Sequence, residues 1–314
     1  MKLKPVLPFE PIAADRIPQG EQWVYQIKWD GVRMLVYSDG TEVRLVNRRL
    51  NDRTMQYPEL TAIRDYCTAD TVILDGEVIA LLDGKPSFQQ VMRRDGVRKL
   101  SQVEIARRQV AVTYMIFDVL YYNGQWVTDR PLQERQQLLA SIVQPNERVQ
   151  LVANFPDGEA LFRVAEQHEL EGIVCKDMTS KYAEGGKDKR WQKKKLYKDV
   201  IAAVGGVTYR DGIVNAVLLG LYDDAGRFVY IGHAGAGRMT VEDWRNLTEQ
   251  VKGMRVEERP FANVPERHKT AVWLRPTLTM KIKFLEWTTY GTLRQPNIQS
   301  FVDVPPAECT FEQV

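Results

Sequence analysis

Cysteine and histidine are scarce in this chain of 314 residues, with three of each. The cysteines are odd in number and lie far apart, at Cys67, Cys175 and Cys309. This pattern predicts neither a disulfide framework nor a zinc site, and it suits a reducing compartment. No two histidines have the spacing of metal ligands. Any metal should therefore be a hard cation that carboxylates and bound phosphate hold.

Long apolar runs are also missing. No stretch approaches the roughly 20 residues that a membrane span needs. The first residues, Met-Lys-Leu-Lys-Pro-Val-Leu-Pro, contain no apolar segment of a secretory signal. We therefore expect a cytoplasmic protein with no membrane partner. The length allows two domains, and 44% hydrophobic with 27% charged residues is ordinary for a soluble globular protein.

Net charge is only +2, so the whole-chain balance does not indicate a nucleic-acid-binding protein. The local distribution is more informative, because residues 176–198 contain nine Lys or Arg against three acidic residues. Such a run is as often a solvated surface as a binding site. It gains meaning only if a motif that handles phosphate lies beside it.

Hydrophobic periodicity predicts a mixed α and β domain followed by a mainly β domain. Strands are predicted at 22–29, 34–37, 42–47, 71–75, 77–82 and 111–122, with helices at 130–143 and 158–169 and a loop at 178–190. Beyond residue 199, strands are predicted at 200–209, 214–222, 227–232, 271–274 and 279–289, with a helix at 241–251. The later pattern is typical of a small β-barrel of the OB type. The sequence thus predicts an α+β domain at 1–198 and an OB-type domain at 199–314.

A lysine just before a predicted turn, in Lys28-Trp29-Asp30-Gly31, is the first candidate for chemistry. At the end of a strand its amine can point into a pocket, and it becomes a nucleophile once it loses a proton. The four residues alone are more often an ordinary surface turn. Their interpretation depends on what accompanies them downstream.

Six further blocks follow in order: Asn47-Arg48-Arg49, Asp75-Gly76-Glu77, Phe117-Asp118, Glu171-Gly-Ile-Val-Cys-Lys176, Trp191-Gln-Lys-Lys-Lys195 and Lys198-Asp199. Each alone has an ordinary structural explanation, such as a core phenylalanine or an exposed strand face. Together they supply one amine, two carboxylates, a flat apolar ring and several cations. Phosphoryl chemistry needs that combination, because it depends on positioning and on neutralising charge around phosphorus.

The ordered series resembles the motifs of the covalent nucleotidyltransferase superfamily, which comprises DNA ligases, RNA ligases and mRNA capping enzymes. It is most similar to the ATP-dependent DNA ligase domain of bacterial end-joining ligases. Stretches with close counterparts there are 25–33, 45–60, 74–79, 218–224, 230–237 and 286–294. The resemblance covers nearly the whole chain. It implies an adenylylation (nucleotidyltransferase) domain of antiparallel sheets and helices, followed by an OB-fold domain.

The resemblance also implies an activity. Lys28 would attack the α-phosphate of ATP to give lysyl-AMP, with Mg²⁺ or Mn²⁺ as metal cofactor. The AMP would pass to the 5′-phosphate of nicked double-stranded DNA, and a 3′-OH would then displace it. We expect a monomer whose two domains close and open around its substrates, with end-joining or repair proteins as possible partners.

The family's remaining site residues map onto this chain one by one. Gln26 and Ile27 would line the nucleotide pocket, and Phe117 would stack on adenine. The ribose would be bound by Arg33 and Glu77, while Arg48 and Glu77 would act near the strand ends. The metal would be held by Glu171 and Glu77, and the α-phosphate would be contacted by Lys193 and Lys195.

Two departures from the family pattern have consequences. Gln26 stands where the family often has Glu, although an amide oxygen can still accept from the adenine 6-amino group. Near the C-terminus the family usually carries Arg-x-Asp-Lys, which orients pyrophosphate in the first step. This chain has Phe301-Val302-Asp303-Val304 there, which predicts slow self-adenylylation. We also expect a minimal ligase without further domains.

Two alternatives remain at this point. An RNA ligase or a capping-type nucleotidyltransferase would use the same motifs on another substrate. An inactive nucleic-acid-binding relative would keep the fold without the chemistry. The intact Lys28, Glu77, Glu171, Lys193 and Lys195 favour an active enzyme, and the second-domain similarity favours DNA.

Overall fold

The computed structural model describes residues 3–266 and 268–313. The chain divides into two compact units, Met1–Leu196 and Tyr197–Val314. No helix among the described residues is long and apolar enough to cross a membrane. The predicted α+β organisation is confirmed.

Two main sheets and four helices build the first unit. Its strands are β1 (Ile12–Ala13), β2 (Trp23–Ile27), β3 (Val32–Ser38), β4 (Val43–Asn47), β5 (Val72–Ile79), β6 (Leu81–Leu82), β7 (Lys85–Pro86), β8 (Thr113–Tyr122), β9 (Gln125–Trp126), β10 (Val149–Leu151), β11 (Gly172–Asp177) and β12 (Trp191–Lys195). Its helices are α1 (Phe88–Asp95), α2 (Leu100–Gln109), α3 (Leu132–Ile142) and α4 (Gly158–Gln167).

The smaller sheet has the order β1-β12-β11-β2, and the larger sheet has the order β10-β8-β5-β3-β4 with β9 beside β8. Strands β6 and β7 form a separate hairpin. Neighbours in the two main sheets are antiparallel except for the parallel pairs β1–β12 and β10–β8. Strand alternation gives each sheet an outer face toward helices and an inner face toward the other sheet.

Apolar residues on the outer faces form two cores. Met34, Leu74 and Ile116 belong to the core of the larger sheet, whereas Ile173 and Leu161 belong to a smaller core where α4 covers β2 and β11. A third cluster joins the inner faces of the two sheets and includes Leu35, Ile73, Leu120 and Trp191. The polar residues of the candidate site lie on these inner faces.

The described residues of the second unit form an antiparallel sheet with one α-helix. Its strands are β13 (Lys198–Arg210), β14 (Ile213–Tyr222), β15 (Phe228–Ala234), β16 (Val272–Trp273), β17 (Thr279–Phe284), β18 (Glu286–Trp287), β19 (Leu293–Arg294) and β20 (Asn297–Val302), and its helix is α5 (Val241–Gln250). The sheet order is β15-β14-β13-β17-β20, with β16 beside β13 and a separate β18–β19 pair. A parallel bridge between Gly237 and Ile298 links the segment after β15 to β20, so the two edges approach each other. Thr240 and Asp243 form a capping box at the start of α5.

One turn predicted between two strands is wrong. The sequence places a turn at Asp75-Gly76 between two strands, but β5 runs through both residues. Asp75 is fully buried and accepts hydrogen bonds from Arg33 and Tyr182, so it is not a turn residue. Gly76 is needed for packing, because a Cβ atom there would lie 2.5 Å from the Tyr114 ring.

Several other elements also differ from the prediction. The strand predicted at 279–289 ends at Phe284, and a separate short strand, β18, follows it. The prediction omits the helices α1 and α2 and the strands β1, β7, β9, β10, β11, β12, β19 and β20. In α1 the periodicity is obscured because Arg94 and Asp95 are buried through ion pairs with Glu59 and Arg53.

Candidate active site

Lys28 directly follows β2 and lies beside Glu171, the residue that precedes β11. The Lys28 backbone N–H donates to the Gly172 carbonyl at 2.9 Å, which continues the β2–β11 ladder. Gly172 has φ +133°, and a Cβ atom there would lie 2.1 Å from the Lys194 carbonyl oxygen. Only glycine tolerates this conformation and close approach, so β11 can begin at this residue between β2 and β12. Glu171, which directly precedes it, then lies beside Lys28.

The Glu171 carboxylate is shared by two lysines. Lys28 Nζ donates to Oε2, and Lys195 Nζ lies 2.6 Å from Oε1. Side-chain exposure is 4% for Glu171 and 20% for Lys28, so the carboxylate is buried while the amine reaches the surface of the pocket. Burial alone would raise the pKa of Glu171, but Lys28 and Lys195 outweigh it and lower that pKa. Glu171 is therefore a stable anion.

Glu77 lies opposite Arg33 on the inner face of β5. Burial raises the pKa of Glu77 to about 7, although Lys28 and Arg33 act in the opposite direction. The site thus holds two carboxylates whose environments separate their pKa values, one low and one near neutrality. Neighbouring titratable groups with separated pKa values are common in active sites, where they take different roles on one substrate.

Arg33 is fixed by a buried network. Its Nε and Nη2 atoms donate to the two Asp75 carboxylate oxygens at 2.8 and 2.6 Å, and Tyr182 donates to Asp75 at 2.8 Å. The Arg33 guanidinium carbon lies 5.0 Å from the centre of the Phe117 ring. Phe117 is partly buried, with Trp191 edge-on at 6.0 Å between ring centroids.

The lysines of β12 alternate between the two faces of the smaller sheet. Trp191, Lys193 and Lys195 share the inner face, whereas Lys194 points outward and donates to the Asp15 carbonyl. Burial, together with Lys195 and Lys28, lowers the pKa of Lys193. Three amines therefore converge near Glu171, which makes this corner attractive to phosphate.

The other predicted site residues are placed less centrally. Gln26 is buried on the inner face and donates to Asn154 at 2.7 Å. The Ile27 side chain packs on the opposite face, in the core beneath α4. Arg48 is exposed and lies 3.5 Å from a Glu10 carboxylate oxygen.

Comparison with known families decides the assignment. Residues 11–195 match the family model described as ATP dependent DNA ligase domain, and residues 210–302 match the ATP dependent DNA ligase C terminal region. The chain belongs to the ATP-dependent DNA ligase family. The adenylylation-plus-OB fold class predicted from sequence is thereby confirmed.

Individual ligases show how far the likeness extends. The chain is 29% identical, over 94% of its length, to the multifunctional non-homologous end joining protein LigD of Mycobacterium bovis, and it covers 38% of that protein. It is 31% identical to a DNA ligase of Thermococcus fumicolans, covering 77% of this chain and 45% of the relative. The chain thus spans about half or less of the length of these curated relatives.

A solved ligase structure matches almost end to end. A mycobacterial DNA ligase D complexed with ATP and MES shares 28% identity with a TM-score of 0.54, covering 97% of this chain and 98% of that one. A Lig E DNA ligase structure, at 17% identity and TM-score 0.62, shows the shared fold.

The donor set of this ligase-family site suits a hard cation. No group of three or more His, Cys, Asp or Glu residues among the described parts of the chain could hold a metal ion. The charge of Lys28 acts to lower the pKa of both Glu77 and Glu171, so both carboxylates lie near its amine. Two carboxylates completed by substrate phosphate oxygens are a usual arrangement for Mg²⁺.

Sequence reasoning missed the residues that support the site. Asp75, which accepts from Tyr182, orients Arg33. Arg135 on α3 donates two hydrogen bonds of 2.8 Å to the Asp118 carboxylate. Asp75 and Asp118 belong to the motifs given above, but the residues that bind them are distant in sequence. Tyr182 is 107 residues from Asp75, and Arg135 is 17 residues from Asp118. No local pattern reveals such pairs.

Proposed function

We propose that this chain seals 3′-OH/5′-phosphate nicks in double-stranded DNA through a lysyl-AMP on Lys28. The observation that carries the proposal is the convergence of Lys28 and Lys195 on the Glu171 carboxylate. Membership of the ATP-dependent DNA ligase family supports the reaction class. ATP is the nucleotide that the family description names.

In the first step, the Lys28 amine attacks the α-phosphorus of ATP. A nitrogen–phosphorus bond forms, and the bond to the leaving pyrophosphate breaks. Lys28 donates to the Glu171 carboxylate, so this pair has to separate and the amine has to lose its proton before attack. Lys193 and Lys195 neutralise charge that builds on the α-phosphate.

Two transfers follow. An oxygen of the 5′-phosphate attacks the phosphorus of lysyl-AMP, so the AMP leaves Lys28 and joins the DNA end. The 3′-OH then attacks the 5′-phosphate, releases AMP and completes the phosphodiester. Glu77 and Arg48 are the groups that we assign to the reacting strand ends.

The nucleotide pocket lies between the inner faces of the two sheets. Phe117 stacks on adenine, and the Gln26 amide oxygen accepts from the adenine 6-amino group. Arg33 and Glu77 bind ribose, with Arg33 held in place by Asp75. The Ile27 side chain points to the opposite face, so its part in this pocket is to fix the end of β2.

Glu171 and Glu77 are the residues that would hold Mg²⁺ or Mn²⁺. A bound cation neutralises phosphate charge and orients the phosphate groups. Glu171 is suited to this because its pKa is lowered, so it remains ionised at neutral pH. Glu77 would bind the cation fully once its own carboxyl group is ionised.

The wider setting is proposed from the ligase family. We propose that the enzyme is a cytoplasmic monomer, that its adenylylation unit is residues 1–198 and its OB unit 199–314, and that they close and open around duplex during the cycle. The likeness to end-joining LigD proteins supports a role in DNA repair, with end-joining or repair proteins as candidate partners.

A sealing assay tests the proposal. Nicked DNA should be joined with ATP and Mg²⁺, and the matching nicked RNA should be joined far more slowly. Faster joining of RNA would favour the RNA-ligase alternative. Tight duplex binding without any lysyl-AMP would favour an inactive relative.

A further inference from the structure

Lys176 is the one buried lysine of the basic run, and its amine has no hydrogen-bond partner among the described residues. From the sequence alone, the basic residues of 176–198 are interpreted as one continuous surface. The structure divides it, because Lys181 and Lys187 are exposed whereas Lys176 is 2% exposed. An unsatisfied buried ammonium is costly and calls for a reason.

Two aromatic rings surround that amine. Lys176 and Trp191 are paired across β11 and β12, so their side chains share the inner face. Lys176 Nζ lies 4.1 Å from the centre of the Trp191 ring and 4.1 Å from the centre of the Phe117 ring. The two rings are nearly perpendicular, at 80°. The amine therefore sits in their corner, where cation–π attraction replaces hydrogen bonds.

Nearby carboxylates do not neutralise this lysine. The charged groups that act on it are Asp118 from β8, Asp75 from β5, Arg33 from β3 and Arg135 from α3. Each aspartate is already held by two hydrogen bonds from an arginine, Asp75 by Arg33 and Asp118 by Arg135. The charges of these pairs cancel, so Lys176 adds an unbalanced positive charge behind Phe117 whenever its amine is protonated.

We propose that Lys176 is a positioning residue that strengthens adenine binding by placing a cation against the inner face of the Phe117 ring. The inference rests on the proposed function, in which adenine stacks on that ring. Phe117 is partly exposed whereas Lys176 and Trp191 are buried, so we assign the inward face of the ring to the amine and the solvent-reaching face to the base, beside Arg33, whose guanidinium carbon lies 5.0 Å from the ring centre. A cation on one face draws electron density from the ring, which favours stacking of an electron-rich purine on the other.

The test compares binding of α,β-methylene-ATP, which cannot donate AMP, by calorimetry at pH 6. Lys176→Met keeps the length of the side chain and removes the charge, and Lys176→Arg keeps the charge. We expect Met to weaken binding by about tenfold, which lies within the range for cation–π contacts. Arg should stay close to wild type. The matched control is Lys194→Met, since Lys194 lies over the Phe162 ring on the outer face.

A pH series keeps the inference testable if Lys176→Met fails to fold. Burial lowers the pKa of Lys176 to about 7, so the amine is charged below that pH and neutral above it. Wild-type affinity should therefore fall relative to Lys176→Arg as pH rises from 6 to 9, because arginine stays protonated. Titration of Glu77 and of the nucleotide phosphates is common to both proteins and cancels in their ratio.

Three results would overturn the inference: unchanged affinity in Lys176→Met, a loss that Arg fails to restore, or a constant ratio of wild type to Lys176→Arg across the pH series. In each case wild type would still form lysyl-AMP with ATP, and the proposed function would stand. Failure of wild type to bind the analogue or to form lysyl-AMP would remove both proposals together.

Discussion

Lys28 donates a hydrogen bond through Nζ to Oε2 of Glu171, so the proposed nucleophile is paired with a carboxylate whose pKa is lowered. Lys195 occupies the other oxygen at 2.6 Å. This arrangement holds the amine against the carboxylate in the absence of substrate. A phosphate that draws Lys195 away, and a cation that engages Glu171, would both weaken the pair and favour the free amine.

Glu171→Gln should therefore reduce lysyl-AMP formation by roughly 10²-fold or more at ordinary Mg²⁺, as is typical when a charge that stabilises a transition state is lost. Glutamine keeps the shape but removes the negative charge. Rapid-quench measurement of the first step gives the rate. Glu169→Gln is the matched control, because Glu169 is 57% exposed and pairs with Lys85 at the surface. Normal rates in Glu171→Gln at the same Mg²⁺ would make Glu171 structural.

The C-terminal departure gives a second prediction. Phe301 is 41% exposed at the end of β20 and Val304 is partly exposed, so a charged side chain at either position can reach solvent. Wild type should adenylylate itself slowly yet join pre-adenylylated nicks well. Phe301→Arg with Val304→Lys should speed the first step and leave strand joining little changed. A wild-type first step already faster than joining would show that nothing is missing.

The buried Arg135–Asp118 pair predicts a large effect on stability. Both side chains have 0% exposure. Arg135→Met leaves an uncompensated carboxylate and should cost about 3–5 kcal/mol, whereas combining it with Asp118→Asn should recover much of that loss. Urea unfolding of wild type and both variants, followed by the tryptophan fluorescence of the whole chain, provides the comparison. Equal stability of the single and double variants would contradict the argument.

Binding to nicked duplex should weaken steeply as salt rises, because the contacts are mainly to phosphates. Residues 1–198 alone should keep the nucleotide pocket and bind nicked duplex weakly, since the OB unit supplies the remaining contacts. Fluorescence anisotropy over a salt series measures both effects. A flat salt dependence would argue against a phosphate-tracking surface.

The sequence could predict part of the candidate site because each motif keeps its residues close together along the chain. Lys28 before a turn and the motif that begins at Glu171 are both visible locally, and the ladder between β2 and β11 then joins them. The periodicity also located α3, α4 and α5 to within two residues at each end. These elements have one apolar face, which sequence patterns detect well.

What the sequence could not predict depends on contacts between distant residues. Asp75-Gly76 has the composition of a turn, and only Arg33, Tyr182 and Tyr114 make it part of a strand. Lys176 belongs to a basic run, and its burial follows from the rings of Phe117 and Trp191. Tertiary packing overrides local preference at such positions.

Peptide mass spectrometry after incubation with ATP and Mg²⁺ tests the central claim most directly. The peptide that contains Lys28 should carry an added AMP in wild type and none in Lys28→Ala or Lys28→Arg, because a guanidinium stays protonated and cannot replace the amine. Both variants should retain part of the sealing of pre-adenylylated nicks. AMP on another residue, or wild-type adenylylation in Lys28→Arg, would contradict the account.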